Sequence, residues 1–150
     1  MILGNLEAEI ITKMIVAAIL GLLVGLEREL HNKPAGIRTH ALVCTGATIF
    51  TIVSIYFIGA DDTSRIAAGI VTGIGFLGAG MIFHSKDIVR GLTTAAELWC
   101  LAGIGIAVGI GMYMVSFVAT IIVLTILVVG RLFEIKVLKT LEEKEKRKRR

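Results

Sequence analysis

Three stretches of this chain, residues 39–60, 66–85 and 98–130, contain no Asp, Glu, Lys or Arg, and a fourth, Ile10 to Leu26, is interrupted only by Lys13. Lipid has no water to satisfy backbone N–H and C=O groups, so a segment crossing it must be a helix or part of a closed barrel. A crossing helix needs about 20 mainly apolar residues. The first runs meet that length once each. The last does not divide cleanly: its 33 residues would reach roughly 50 Å as one helix, too long for one span and too short for two. Admitting Glu97 to the membrane extends the run from Thr93 to Leu132, enough for two spans joined at Gly109-Ile110-Gly111. The expectation is an all-α, multi-pass bundle of five transmembrane helices in the cell membrane, at 10–27, 39–59, 66–84, 93–110 and 112–132. Lys13 is expected to snorkel to the near interface.

Charge sets the expected orientation. Nine of the sixteen Lys and Arg lie from Arg131 onward, and with five spans fourteen of the sixteen fall on the C-terminal side. The positive-inside rule then places the C-terminus in the cytoplasm and the N-terminus outside. The basic tail, 134–150, reads as a segment held against anionic lipid rather than as a nucleic-acid surface. Its apolar stripe continues the last helix toward the charged end. The first residues, with Glu7 and Glu9, lack the basic start and cleavage site of a removable signal peptide. Cys44 and Cys100 sit in apolar runs, with no zinc or redox spacing.

Glycine marks the third and fourth spans. Gly69 and Gly73 form a GxxxG pair, Gly75, Gly78 and Gly80 follow, and Gly103, Gly105 and Gly109 repeat the pattern. Small residues allow helices in lipid to approach closely, so these two spans are expected to form the tight centre of the bundle. The same faces are open to packing between copies of the chain. The fifth span, rich in Val, Ile and Leu, reads as peripheral.

Ionisable residues at membrane depth are costly and face the protein interior or a watered cavity. Here they gather with polar neighbours toward the cytoplasmic side: Glu27, Arg28, Arg38, His40 and Glu97, beside Thr39, Thr93 and Thr94, with His84 closing the third span. Two roles are open to this cluster. Magnesium takes oxygen ligands and retains much of its water, so Glu27 and Glu97 are candidate metal ligands, helped by the threonine hydroxyls. Alternatively the carboxylates neutralise Arg28 or Arg38 and pin helices together. On the outer face, Asp61, Asp62 and Arg65 flank the third span, where aspartates suit helix capping. No phosphate loop, aspartyl-phosphate signature or nucleophile–base pair marks an enzyme. The GxGxxG at Gly73–Gly78 falls inside a spanning helix, the wrong context for a dinucleotide.

Five segments occur in an order that carries a further meaning: Gly21-Leu-Leu-Val-Gly-Leu-Glu-Arg-Glu29, Lys33-Pro-Ala-Gly-Ile-Arg-Thr-His40, Asp62-Thr-Ser-Arg-Ile-Ala-Ala68, Gly73-Ile-Gly-Phe-Leu-Gly-Ala-Gly80 and Gly91-Leu-Thr-Thr-Ala-Ala-Glu-Leu-Trp99. Together, from about Gly21 to Gly111, they resemble the MgtC/SapB membrane-protein family. The resemblance implies about five spans and a link to magnesium homeostasis, with no cofactor beyond a bound Mg2+. It leaves two activities open: divalent-cation transport through the polar cluster, or regulation by docking on another membrane complex such as the proton-translocating ATP synthase. It marks Glu27, Arg28, Arg38, Thr39, His40, Asp62, Arg65, Thr93, Thr94 and Trp99 as characteristic positions. The chain departs from many relatives in carrying Gly69 in place of glutamine and Glu97 in place of a small or neutral residue. It is also expected to lack their soluble C-terminal domain.

Overall fold

The computed structural model describes residues 2–58, 63–85 and 88–148. Its architecture is the expected all-α membrane bundle, built from five α-helices: α1 (Ile2–Leu30), α2 (Ile37–Val53), α3 (Thr63–Gly80), α4 (Leu92–Gly109) and α5 (Tyr113–Lys148). Four helical segments, Gly4–Leu30, Ile37–Tyr56, Leu92–Gly109 and Tyr113–Val137, are long and apolar enough to cross a membrane. The fifth, Ser64–Gly80, is apolar but shorter, about 26 Å at the α-helical rise against about 30 Å of hydrocarbon. A single π-helical turn, Ser54–Ile58, extends α2.

After α3 the helical pattern breaks. β1 (Phe83–Ser85) and β2 (Ile88–Arg90) form an antiparallel hairpin, with Phe83 opposite Arg90 and Ser85 opposite Ile88. His84, expected to close the third span, therefore lies in a strand. Gly91 links the hairpin to α4 with a left-handed φ of 88°, and a Cβ there would run into the Met81 carbonyl. Only glycine fits such a site without strain. Gly91→Ala is expected to cost about 1–3 kcal/mol, read as a lowered midpoint of thermal unfolding in detergent. An unchanged midpoint would show that the hairpin junction is not fixed in this form.

Helix ends explain the other joints. The Gly109-Ile110-Gly111 joint is a Schellman motif: Met112 N–H donates to the Ala107 carbonyl at 2.8 Å, Gly111 N–H donates to Val108 at 2.9 Å, and Gly111 has a φ of 89°. Asn32, with a φ of 52°, ends α1 in the same way through Lys33 N–H to Arg28 and Asn32 N–H to Glu29. The returning α2 is capped across that loop, its Ile37 N–H donating to the Glu29 carboxylate at 2.8 Å. An anion at a helix N-terminus also meets the positive end of the dipole.

The packing corrects one expectation. The tight centre is α1–α2–α4, not the third and fourth spans. A Cβ at Gly21 would stand 2.6 Å from the His40 carbonyl oxygen, and one at Gly25 would stand 2.6 Å from the Ile37 Cα. On the other side of α2, a Cβ at Gly109 would stand 2.6 Å from Thr51 Cβ, and Gly105 abuts the Cys44 carbonyl. Two glycine pairs at four-residue spacing thus clasp α2 from both sides. One buried core joins Ala17, Leu20, Val24, Cys44, Leu101 and Val108 along this seam. Of the α3 glycines named from sequence, Gly78 touches Ala95, whereas a Cβ at Gly69, Gly73, Gly75 or Gly80 would meet nothing within 4 Å. α5 lies at the periphery, with Met114, Phe117, Ile122 and Ile126 exposed and Ser116 and Thr120 buried.

Candidate functional site

The close contact of α1 with α2, and of α2 with α4, brings three helix ends together. The last turns of α1 carry Glu27 and Arg28, the first turn of α2 carries His40, and α4 contributes Thr94 and Glu97, three residues apart and so on one face. All five side chains are buried.

Arg28 lies between two carboxylates. Its Nε is 2.8 Å from Glu97 Oε2, and its Nη1 is 3.5 Å from Glu27 Oε2. Its Nη2 donates to the Thr94 hydroxyl at 3.3 Å. The Nε–Oε2 contact is a close ion pair, but the N–H is not aimed along it, so neither atom makes an aligned hydrogen bond. On the opposite side of Glu97, His40 Nε2 lies 3.2 Å from Oε1, while His40 Nδ1 is 2.8 Å from the Gly36 carbonyl. A carbonyl only accepts, so Nδ1 carries a proton. A hydrogen bond from Nε2 to Glu97 then requires a second proton, held by the imidazole or by the carboxyl. The Arg28 guanidinium and the His40 ring thus flank Glu97 from two sides. Buried charges are tolerated when paired in this way.

His31 extends the network and was not singled out in the sequence reading. Its Nδ1 lies 2.8 Å from Glu27 Oε1 and 2.6 Å from the Glu27 carbonyl. The signal for it was present, since His31 follows Glu27 at the four-residue spacing of one helix face. The remaining cluster candidates lie elsewhere. Arg38, Thr39 and Thr93 are exposed, as is Trp99. Asp61 and Asp62 lie outside the described residues, and Arg65 is exposed on α3. Among the described residues, no three His, Cys, Asp or Glu side chains are placed to hold a metal ion. Glu27 and Glu97 share Arg28.

A second polar group occupies the opposite end of α1. Lys13, only 4% exposed, lies 2.8 Å from Glu9, 3.4 Å from the Tyr56 hydroxyl and 5.4 Å from the Tyr56 ring centre. Tyr56 in turn donates to Glu9 at 3.2 Å. Lys13 is thus held between α1 and the π-helical turn that extends α2. Tyr56 is 43 residues away, and nothing local in the sequence announces the contact.

The MgtC family pattern matches residues 14–135, which hold both the glycine clasp and the ion-paired centre. The chain belongs to the MgtC family. Protein MgtC of Salmonella typhimurium is 51% identical over 114 residues, covering 76% of this chain and 49% of that protein. An uncharacterized protein of Haemophilus influenzae is 45% identical over 77% of this chain and 52% of its own length. The Escherichia coli K12 protein named "Putative magnesium transporter YhiD" is 42% identical over 81% of this chain and 60% of its own length. The chain thus spans about half the length of the MgtC-family relatives it matches. No solved structure matches it. Membership and the apolar helices together make this a multi-pass membrane protein of the MgtC family.

Proposed function

We propose that this chain serves magnesium homeostasis as a non-conducting membrane regulator, its polar centre acting as a lock between α1, α2 and α4. The observation that carries this reading is the position of Arg28. A guanidinium already stands 2.8 Å from Glu97 and 3.5 Å from Glu27, where a divalent cation would need those same oxygens. A fixed cation there favours holding helices over passing ions. The link to magnesium draws on the family and on the name of the Escherichia coli relative. A regulator of this kind acts through contact with a second membrane protein.

A second reading, divalent-cation transport, draws on a different observation. Both carboxylate oxygens of Glu27 are buried and make no aligned hydrogen bond, which leaves them acceptor capacity for a hydrated ion.

Magnesium uptake into proteoliposomes separates the two. The full chain, its Glu97→Gln variant and empty vesicles are compared with a magnesium-sensitive dye inside. Regulation predicts no uptake above empty vesicles for either protein. Uptake by the parent chain that falls at least tenfold in Glu97→Gln would overturn that reading and route cations through the centre.

A further inference from the structure

The open glycines of α3 do not face blank space alone. Two of them, Gly69 and Gly73, line an open groove of about 530 Å³ together with Leu42 and Phe50 of α2 and Arg65 and Leu77 of α3, among others. Every lining residue but Arg65 is apolar or glycine. We propose that this groove holds one acyl chain of a bilayer phospholipid, with the headgroup phosphate on Arg65.

Three features fit that occupant. The first is length. From Arg65 to Leu77 the groove follows α3 for about 18 Å at the helical rise, close to the roughly 15 Å of one leaflet's hydrocarbon.

The second is width. A hydrocarbon chain is slender enough to lie along an open groove of about 530 Å³. Glycine at 69 and 73 lets such a chain lie against the backbone. Contact there is dispersion between apolar atoms, which any chain of suitable length supplies.

The third is charge. The guanidinium stands at one end of an otherwise apolar groove, on the face where α3 begins. Arginine binds phosphate oxygens through paired, charge-assisted hydrogen bonds. Arg65 is also engaged within the chain, and its five donors let one guanidinium serve that partner and a phosphate together. The lipid site is separate from the ion-paired centre and stands whether the protein conducts ions or regulates.

Native mass spectrometry of the full chain in detergent, titrated with palmitoyl-oleoyl phosphatidylglycerol, tests the assignment. The parent chain is expected to retain one lipid per protomer. Gly73→Leu, which fills the groove, and Arg65→Gln, which removes the phosphate partner, are each expected to weaken retention at least tenfold. Gly75→Leu serves as the control: its Cβ also enters open space, yet Gly75 does not line the groove. Its retention is expected to match the parent. Gly69→Leu repeats the groove-filling test should Gly73→Leu fail to fold.

Equal retention in parent and groove-filled chains would overturn the proposal. So would loss of a dimer, rather than of lipid, in Gly73→Leu, since that would make a second copy the occupant. Displacement of the lipid by excess inorganic phosphate would assign Arg65 to a free anion and overturn it as well.

Discussion

Glu97→Ala is expected to destabilise the folded chain by about 3–5 kcal/mol, the usual cost of removing one member of a buried ion pair. The side chain it deletes is buried and lies 2.8 Å from Arg28 and 3.2 Å from His40. Arg28 would be left with Glu27 at 3.5 Å and the Thr94 hydroxyl, partial compensation that favours the lower end of the range. Unfolding in mixed micelles with increasing SDS measures the loss. The triple variant Glu27→Gln/Arg28→Met/Glu97→Leu, which also neutralises the second carboxylate on Arg28 and retains side-chain bulk, should recover most of it. A cost below about 1 kcal/mol for Glu97→Ala, within the range of an exposed pair, would show that the lock does not form in the folded membrane protein.

Gly105→Leu is expected to cost at least as much as other overpacking changes, about 1–3 kcal/mol, and to loosen α2 from α4. Its Cβ would run into the Cys44 carbonyl and lie 2.8 Å from Ala47 Cβ. Neither can retreat easily, because Gly21 and Gly25 hold α1 against the far side of α2. Gly73→Leu enters open space and is expected to stay within about 0.5 kcal/mol of the parent. The same SDS titration compares them. Equal destabilisation by the two variants would place the packing face on α3, where the glycine pattern of the sequence first pointed.

That contrast shows why the glycines were hard to assign from sequence. GxxxG occurs as Gly21–Gly25, Gly69–Gly73 and Gly105–Gly109, and spacing alone does not rank them. The first and third meet α2, and the second faces the groove. Which glycine is used depends on the surface opposite it, a property of two helices together. The polar residues divide in the same way. Glu27, Arg28, His40, Thr94 and Glu97 meet, but Arg38 and Thr39, adjacent to His40, point outward, because consecutive helical positions lie about 100° apart. The pairing of β1 with β2 and the Lys13–Tyr56 contact had no comparable signal.

Transfer to lipid is a local quantity, additive along the chain, and backbone hydrogen bonding in lipid leaves a helix as the chief solution for each apolar run. The third run, expected at full length over 66–84, ends as a helix at Gly80, whereas four membrane-length helices, the joint near Gly109 and the admission of Glu97 to the bundle all follow from that arithmetic. The placement of α2 between two glycine clasps, and of Arg28 between two carboxylates, does not. Those depend on close packing and ion pairing between segments far apart in the chain, as Arg28 and Glu97 are, and only the assembled bundle decides them.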